Sequence, residues 1–95
     1  MPAERLLVTG IVQMVGYRVW TQRTAGALGL GGFVRNLEDG RVEIHAEGEQ
    51  AVLDDLATRC WRGPTNARVT DVARSSRPAR GLRAFVVLDD ARAPE

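Results

Sequence analysis

The stretch Thr9-Gly10-Ile11-Val12-Gln13-Met14-Val15-Gly16-Tyr17-Arg18-Val19-Trp20 holds the residues best suited to chemistry. A short apolar strand runs into a loop, and the loop runs straight into a helix. Such a junction leaves several backbone N–H groups without helical acceptors, all pointing one way. The helix dipole adds partial positive charge at the same spot. Arg18 stands in the first turn. Amides of Gln13, Met14, Val15, Gly16 and Tyr17, with the Arg18 guanidinium, describe a pocket for a phosphate-sized anion. A plain strand-to-helix connection with a surface arginine would carry the same local features.

Three further residues could do chemistry. Asn36 reads locally as a turn-initiating asparagine ahead of Asp39-Gly40. His45 is the single histidine. It falls in Arg41-Val42-Glu43-Ile44-His45-Ala46-Glu47, which alternates so that Val42, Ile44 and Ala46 face a core. Arg41, Glu43, His45 and Glu47 are thereby expected on a solvated face, a poor place for a catalytic base. Cys60 is the only cysteine, so no internal disulfide can form. It lies on an apolar helical stripe and reads as a small buried side chain, not a nucleophile. No cluster of metal-ligand type is evident, and no cofactor is expected.

The elements that must position these residues follow from periodicity. Arg5 to Thr9 reads as a strand with Leu6 and Val8 on one face. Tyr17, Trp20, Thr21, Thr24, Ala25 and Leu28 recur at helical spacing, with Tyr17 and Trp20 as core anchors. Gly29 sits where a helix ends in left-handed geometry, with Leu30 folding back. Gly31 to Asn36 is a second strand, and Leu37-Glu38-Asp39-Gly40 turns it into the alternating third. Gly48-Glu49-Gln50 opens a second helix with Val52, Leu53, Leu56, Ala57 and Cys60 inward. Asp54, Asp55, Arg59 and Arg62 form its wet face, with Asp55 and Arg59 spaced as a helix pair. Gly63-Pro64 ends it. Arg68 to Arg74 is a fourth strand, Ser75 to Arg83 a polar loop, and Phe85 to Leu88 a last short strand.

The order strand, helix, strand, strand, helix, strand, with one short extra strand, predicts an α+β ferredoxin-like sandwich: an antiparallel sheet with two helices on one face. Ninety-five residues make a single domain, expected over 1–90 with a frayed tail at 91–95. Hydrophobic residues make up 44%, as in a globular chain, and thirteen basic against twelve acidic residues leave a net charge of +1. That balance argues against a surface built on bulk charge for nucleic acid. An RNA-binding variant of the same fold would want aromatics on the central strands, where only Phe33 and Phe85 are available. No apolar run approaches the roughly 18 residues of a membrane span. The expectation is a cytoplasmic monomer with no nucleic-acid or membrane partner.

Gly10-Ile11-Val12-Gln13-Met14-Val15-Gly16-Tyr17-Arg18 resembles the first signature of the acylphosphatases. Gly32-Phe33-Val34-Arg35-Asn36-Leu37-Glu38-Asp39-Gly40-Arg41-Val42, running on to Gly48, resembles the second. The likeness covers almost the whole chain, in the family's own order of elements. It implies hydrolysis of an acyl phosphate to a carboxylate and inorganic phosphate. It further implies that Arg18 grips the phosphate and Asn36 positions the attacking water, while amides from about Gln13 to Tyr17 wrap the remaining oxygens. A non-catalytic module binding phosphate or carbamoyl phosphate is the alternative within the same fold.

Residue chemistry is compatible with those roles. Phosphoryl transfer needs positioning and charge stabilisation more than covalent help. A guanidinium offers a planar fork matched to two phosphate oxygens. A neutral amide can hold water without repelling the dianion. The leaving carboxylate is weakly basic, so no general acid is required, and the resemblance implies hydrolysis without a metal. One position departs from the family, which usually has glycine where this chain has Met14. If that position takes positive φ, methionine adds strain of roughly 1 kcal/mol or more. If it does not, the change is tolerable, because the amide that binds anions is still present.

Overall fold

The computed structural model describes residues 1–91. Five strands and two helices follow in the order β1 (Ala3–Ile11), α1 (Tyr17–Ala27), β2 (Gly31–Asn36), β3 (Val42–Glu47), α2 (Gln50–Cys60), β4 (Arg68–Ser76) and β5 (Phe85–Val87). They form one sheet of order β4-β1-β3-β2-β5 with both helices on one face. The first four strands pair antiparallel, as expected for a ferredoxin-like sandwich. The extra strand departs from the expected all-antiparallel sheet: β5 runs parallel to β2, with Gly32 opposite Phe85 and Val34 opposite Val87. Residues 77–84 carry the chain from β4 at one edge to β5 at the other, and no tight turn joins β5 to β2 to force them antiparallel.

Period-two alternation puts Leu6, Val8, Val34, Val42, Ile44 and Ala46 under the helices, all fully buried. Leu53, Leu56, Ala57 and Cys60 come down on them from α2. From α1, Tyr17 reaches furthest, its hydroxyl donating to the Cys60 carbonyl at 2.6 Å. Trp20 packs against this core half-buried, with its ring 5.2 Å from that of Tyr17. α1 ends as expected: Gly29 has φ +75°, and the amides of Gly29 and Leu30 donate to the carbonyls of Gly26 and Ala25. On α2 the Asp55–Arg59 pair closes at 2.9 Å.

The opposite face of β3 is not solvated. Glu43, His45 and Glu47 are 6%, 4% and 5% exposed. The alternation is correct, yet the second face is covered. Arg35 donates to Glu43 at 2.6 Å, and Phe33 stacks on the His45 ring at 5.3 Å. Glu47 accepts from His45 at 2.6 Å and from the backbone amides of Arg80, Gly81 and Leu82. The polar segment after β4 is thus a strap tied over the outer face by one carboxylate. Period two reports which residues share a face, not whether a distant segment crosses it.

At the chain's end, Ala91 is fastened to the end of β2. Its amide donates to the Asn36 carbonyl at 2.9 Å, and its carbonyl accepts from the Glu38 amide. The rest of the tail expected to fray, residues 92–95, lies outside the described residues. No described helix is long and apolar enough to cross a membrane.

Candidate active site

The loop between β1 and α1 is built on a change of direction at Gly10. Its φ is +129°, and a Cβ there would lie 2.0 Å from the Arg68 carbonyl oxygen on β4. Only glycine lets the two backbones approach so closely at the register shift between Thr9 and Gly10. Val12 then buries, and Gln13 braces the loop sideways. The Gln13 Nε2 donates to the carbonyls of Leu37 at 2.8 Å and Arg41 at 3.0 Å, on the far side of the β2–β3 turn.

Met14 does take the left-handed conformation, with φ +63°, and its side chain is fully exposed. Gly16, at φ +80° and ψ 17°, caps α1. No side chain caps this helix, and no acidic residue stands in its first turn. Among the described residues, none of the amides of Gln13, Met14, Val15 and Gly16 donates to a protein acceptor. The orphan amides of the first turn add to them. The result is a row of uncommitted donors at the positive end of a helix.

Arg18 and Asn36 come together beside that row. With Val12, Met14, Gly16, Tyr17 and Val19 they line one cavity of about 90 Å³. Arg18 is partly exposed, and its Nη1 lies 3.2 Å from Asp90 Oδ1. Asn36, the last residue of β2, is 7% exposed. Its Oδ1 is buried and has no hydrogen-bond partner among the described residues. A buried acceptor left unpaired costs about 1–3 kcal/mol, so this amide has hydrogen-bonding capacity that the fold itself leaves unused.

Of the residues singled out in the sequence, Met14, Gly16, Tyr17, Arg18 and Asn36 line this cavity. Gln13 and Val15 contribute main chain to the loop, while their side chains brace it and pack on the core. The Tyr17 side chain belongs to the core. Sequence reasoning missed Val12 and Val19 as lining residues and Asp90 as the partner of Arg18. Helical adjacency to Arg18 could have flagged Val19; nothing local flags Asp90, 72 residues away.

The other groups singled out in the sequence lie away from this cavity. His45 is tied to Glu47 on the other face of the sheet. Burial pushes the Cys60 thiol up to about 12, which removes the thiolate at neutral pH. Among the described residues no three His, Cys, Asp or Glu side chains are placed to hold a metal. A wider cleft of about 630 Å³, floored by Phe33, Leu82 and Val86, shares no residue with the Arg18–Asn36 cavity.

Known proteins share the sequence and fold of this chain. The acylphosphatase family model matches residues 4–87. An acylphosphatase of Synechococcus sp. is 48% identical over 83 residues, covering 87% of this chain and 83% of its own. One from Nostoc sp. is 49% identical over 82 residues, covering 86% and 81%. The crystal structure of the Bacillus subtilis acylphosphatase superposes with a TM-score of 0.90 at 36% identity, covering 93% of this chain and 99% of that one. With both signatures meeting at one anion-sized cavity and the match running through nearly every element, the chain belongs to the acylphosphatase family.

Proposed function

We propose that the cavity between the β1–α1 loop and the end of β2 hydrolyses acyl phosphates, with Arg18 and Asn36 as its catalytic residues. The observation that carries this assignment is that Arg18 and Asn36, brought from α1 and the end of β2, line one small cavity beside the uncommitted loop amides.

The phosphate group of R–CO–O–PO₃²⁻ seats on the amides from Gln13 to Arg18, at the positive end of α1. The Arg18 fork takes two of its oxygens, exchanging the Asp90 carboxylate for the stronger charge of the dianion. Asn36 Oδ1 accepts a hydrogen bond from a water molecule and holds its oxygen in line with phosphorus. The water oxygen bonds to phosphorus as the bond from phosphorus to the acyl oxygen breaks. That electron pair leaves on the carboxylate. One water proton passes to a phosphate oxygen, giving RCOO⁻ and H₂PO₄⁻, which then loses a proton to solvent near neutral pH. Charge builds on the equatorial oxygens, which in this scheme the amides and guanidinium hold, so little reorganisation is required. Protein residues move no proton in this scheme; Asp90, the carboxylate paired with Arg18, serves only as the partner that phosphate displaces.

In this reading the protein works as a cytoplasmic monomer on small diffusible acyl phosphates, with no nucleic acid or membrane involved. The near balance of charge supports only the absence of nucleic acid, since it leaves no bulk basic surface. Hydrolysis of acetyl phosphate and benzoyl phosphate in excess EDTA tests the function. Turnover with release of inorganic phosphate is expected. Phosphate binding without turnover would instead mark a binding module.

A further inference from the structure

We propose that Met14 and Val19 form an apolar rim that makes this chain favour acyl phosphates carrying an apolar acyl group, aromatic or branched, over acetyl or carbamoyl phosphate. The proposal rests on the phosphate seat described above and adds to it the fate of the other half of the substrate.

Met14 is an unusual residue for its position. Its φ of +63° is one that side-chain-bearing residues seldom adopt. Its side chain is fully exposed. The fold therefore gains no packing from it and meets a backbone cost to keep it. Yet Met14 lines the same cavity as Arg18 and Asn36. Val19, one residue beyond Arg18, also lines that cavity and is 48% exposed.

In-line attack fixes where the acyl group goes. Water approaches from Asn36, so the acyl oxygen departs on the side away from Asn36. The acyl group then leaves past the remaining lining residues. Val12 and Tyr17 are buried, Gly16 has no side chain, and Arg18 is committed to phosphate. The exposed side chains left to meet it are Met14 and Val19, both apolar. Besides Arg18 the lining carries no charge, and Asp90, paired with Arg18 at 3.2 Å, would repel an acidic acyl substituent. The thioether is unbranched and adapts to aromatic or aliphatic partners.

The test is the ratio of kcat/KM for benzoyl phosphate to that for acetyl phosphate, in the wild type and in M14Q, M14G, M14L and V19T. The ratio cancels changes in the shared phosphate seat, including any relief of backbone strain in M14G. M14Q and M14G are expected to lower it by about threefold to tenfold, the scale of one apolar contact. V19T should move it the same way, and M14L should hold it within about twofold. A ratio that M14Q, M14G and V19T all leave unmoved, with both substrates still turned over, overturns the rim while leaving the phosphate seat intact. Wild-type protein that hydrolyses neither substrate overturns the seat as well. M14Q keeps length and exposure, so its thermal transition verifies that an altered ratio reports contact and not unfolding.

Discussion

Arg18 Nη1 and Asp90 Oδ1 lie 3.2 Å apart, joining the first helix to the segment beyond the last strand. Both groups are well exposed, so the pair itself is worth no more than about 1 kcal/mol. Its interest lies in the proposed scheme, in which the Arg18 guanidinium must exchange this carboxylate for a phosphate oxygen. D90N is expected to lower KM for benzoyl phosphate by about twofold to fivefold at low ionic strength, with kcat little changed. Salt screens exposed charges, so the difference should shrink above about 0.5 M. Steady-state kinetics at two salt concentrations check this; an unchanged or higher KM at low salt would show that Asp90 does not compete.

Two glycines of the β1–α1 region separate close approach from backbone conformation. At Gly10 a Cβ would strike the Arg68 carbonyl oxygen, and backbone cannot give way cheaply. At Gly16 the space is open and only the φ of +80° is at stake. Urea unfolding should show G10A losing about 3 kcal/mol or more, and G16A about 1 kcal/mol. Equal losses would contradict the close β1–β4 contact.

Cys60 is a silent thiol. Burial pushes it up to about 12, and the Tyr17 hydroxyl donates to the backbone carbonyl of Cys60. Iodoacetamide at pH 8 should leave the folded protein unmodified for hours and label it promptly in urea. C60A should keep its kcat. Rapid labelling of the native protein would contradict the packing of α2 on the sheet.

Glu47 gives the outer face its pH dependence. Burial would raise its carboxyl, but the bonds from His45 and from the Arg80, Leu82 and Gly81 amides more than reverse that and hold it below the usual carboxylate range. A group depressed in the folded state stabilises above its unfolded pKa, and that stabilisation is lost as pH falls through the folded value. Part of the protein's stability should therefore disappear below about pH 4.5. E47Q is expected to cost about 2–3 kcal/mol at pH 7 and to flatten that acid limb. Thermal melts from pH 7 to pH 2 measure both; an E47Q profile parallel to wild type would exclude the strap as the source.

Much of this was legible in the residues. Gly31 to Asn36 reads as a strand with the bounds the structure gives it, because glycine and turn signals bracket it. The helical stripe from Leu53 to Cys60 announces its buried face through spacing alone. Arg18 and Asn36 were legible as types, through the anion chemistry of a helix start and through the two family signatures. What escaped was set by contacts between distant segments. The strap of Arg80 to Leu82 over Glu47 makes β3 polar on a face that is nonetheless buried. The parallel direction of β5 depends on how residues 77–84 cross the sheet. Asp90 reaches Arg18 only after the whole sheet has formed. No local pattern encodes any of the three.

The most direct test is N36A, with turnover and product binding measured on the same sample. The water-holding role of Asn36 predicts that kcat for benzoyl phosphate falls by about a hundredfold or more, while the inhibition constant of inorganic phosphate stays within about threefold of wild type. R18Q supplies the contrast by losing phosphate inhibition as well. Full turnover in N36A, or a loss of phosphate affinity as large as the loss of kcat, would contradict the division of labour between the two residues.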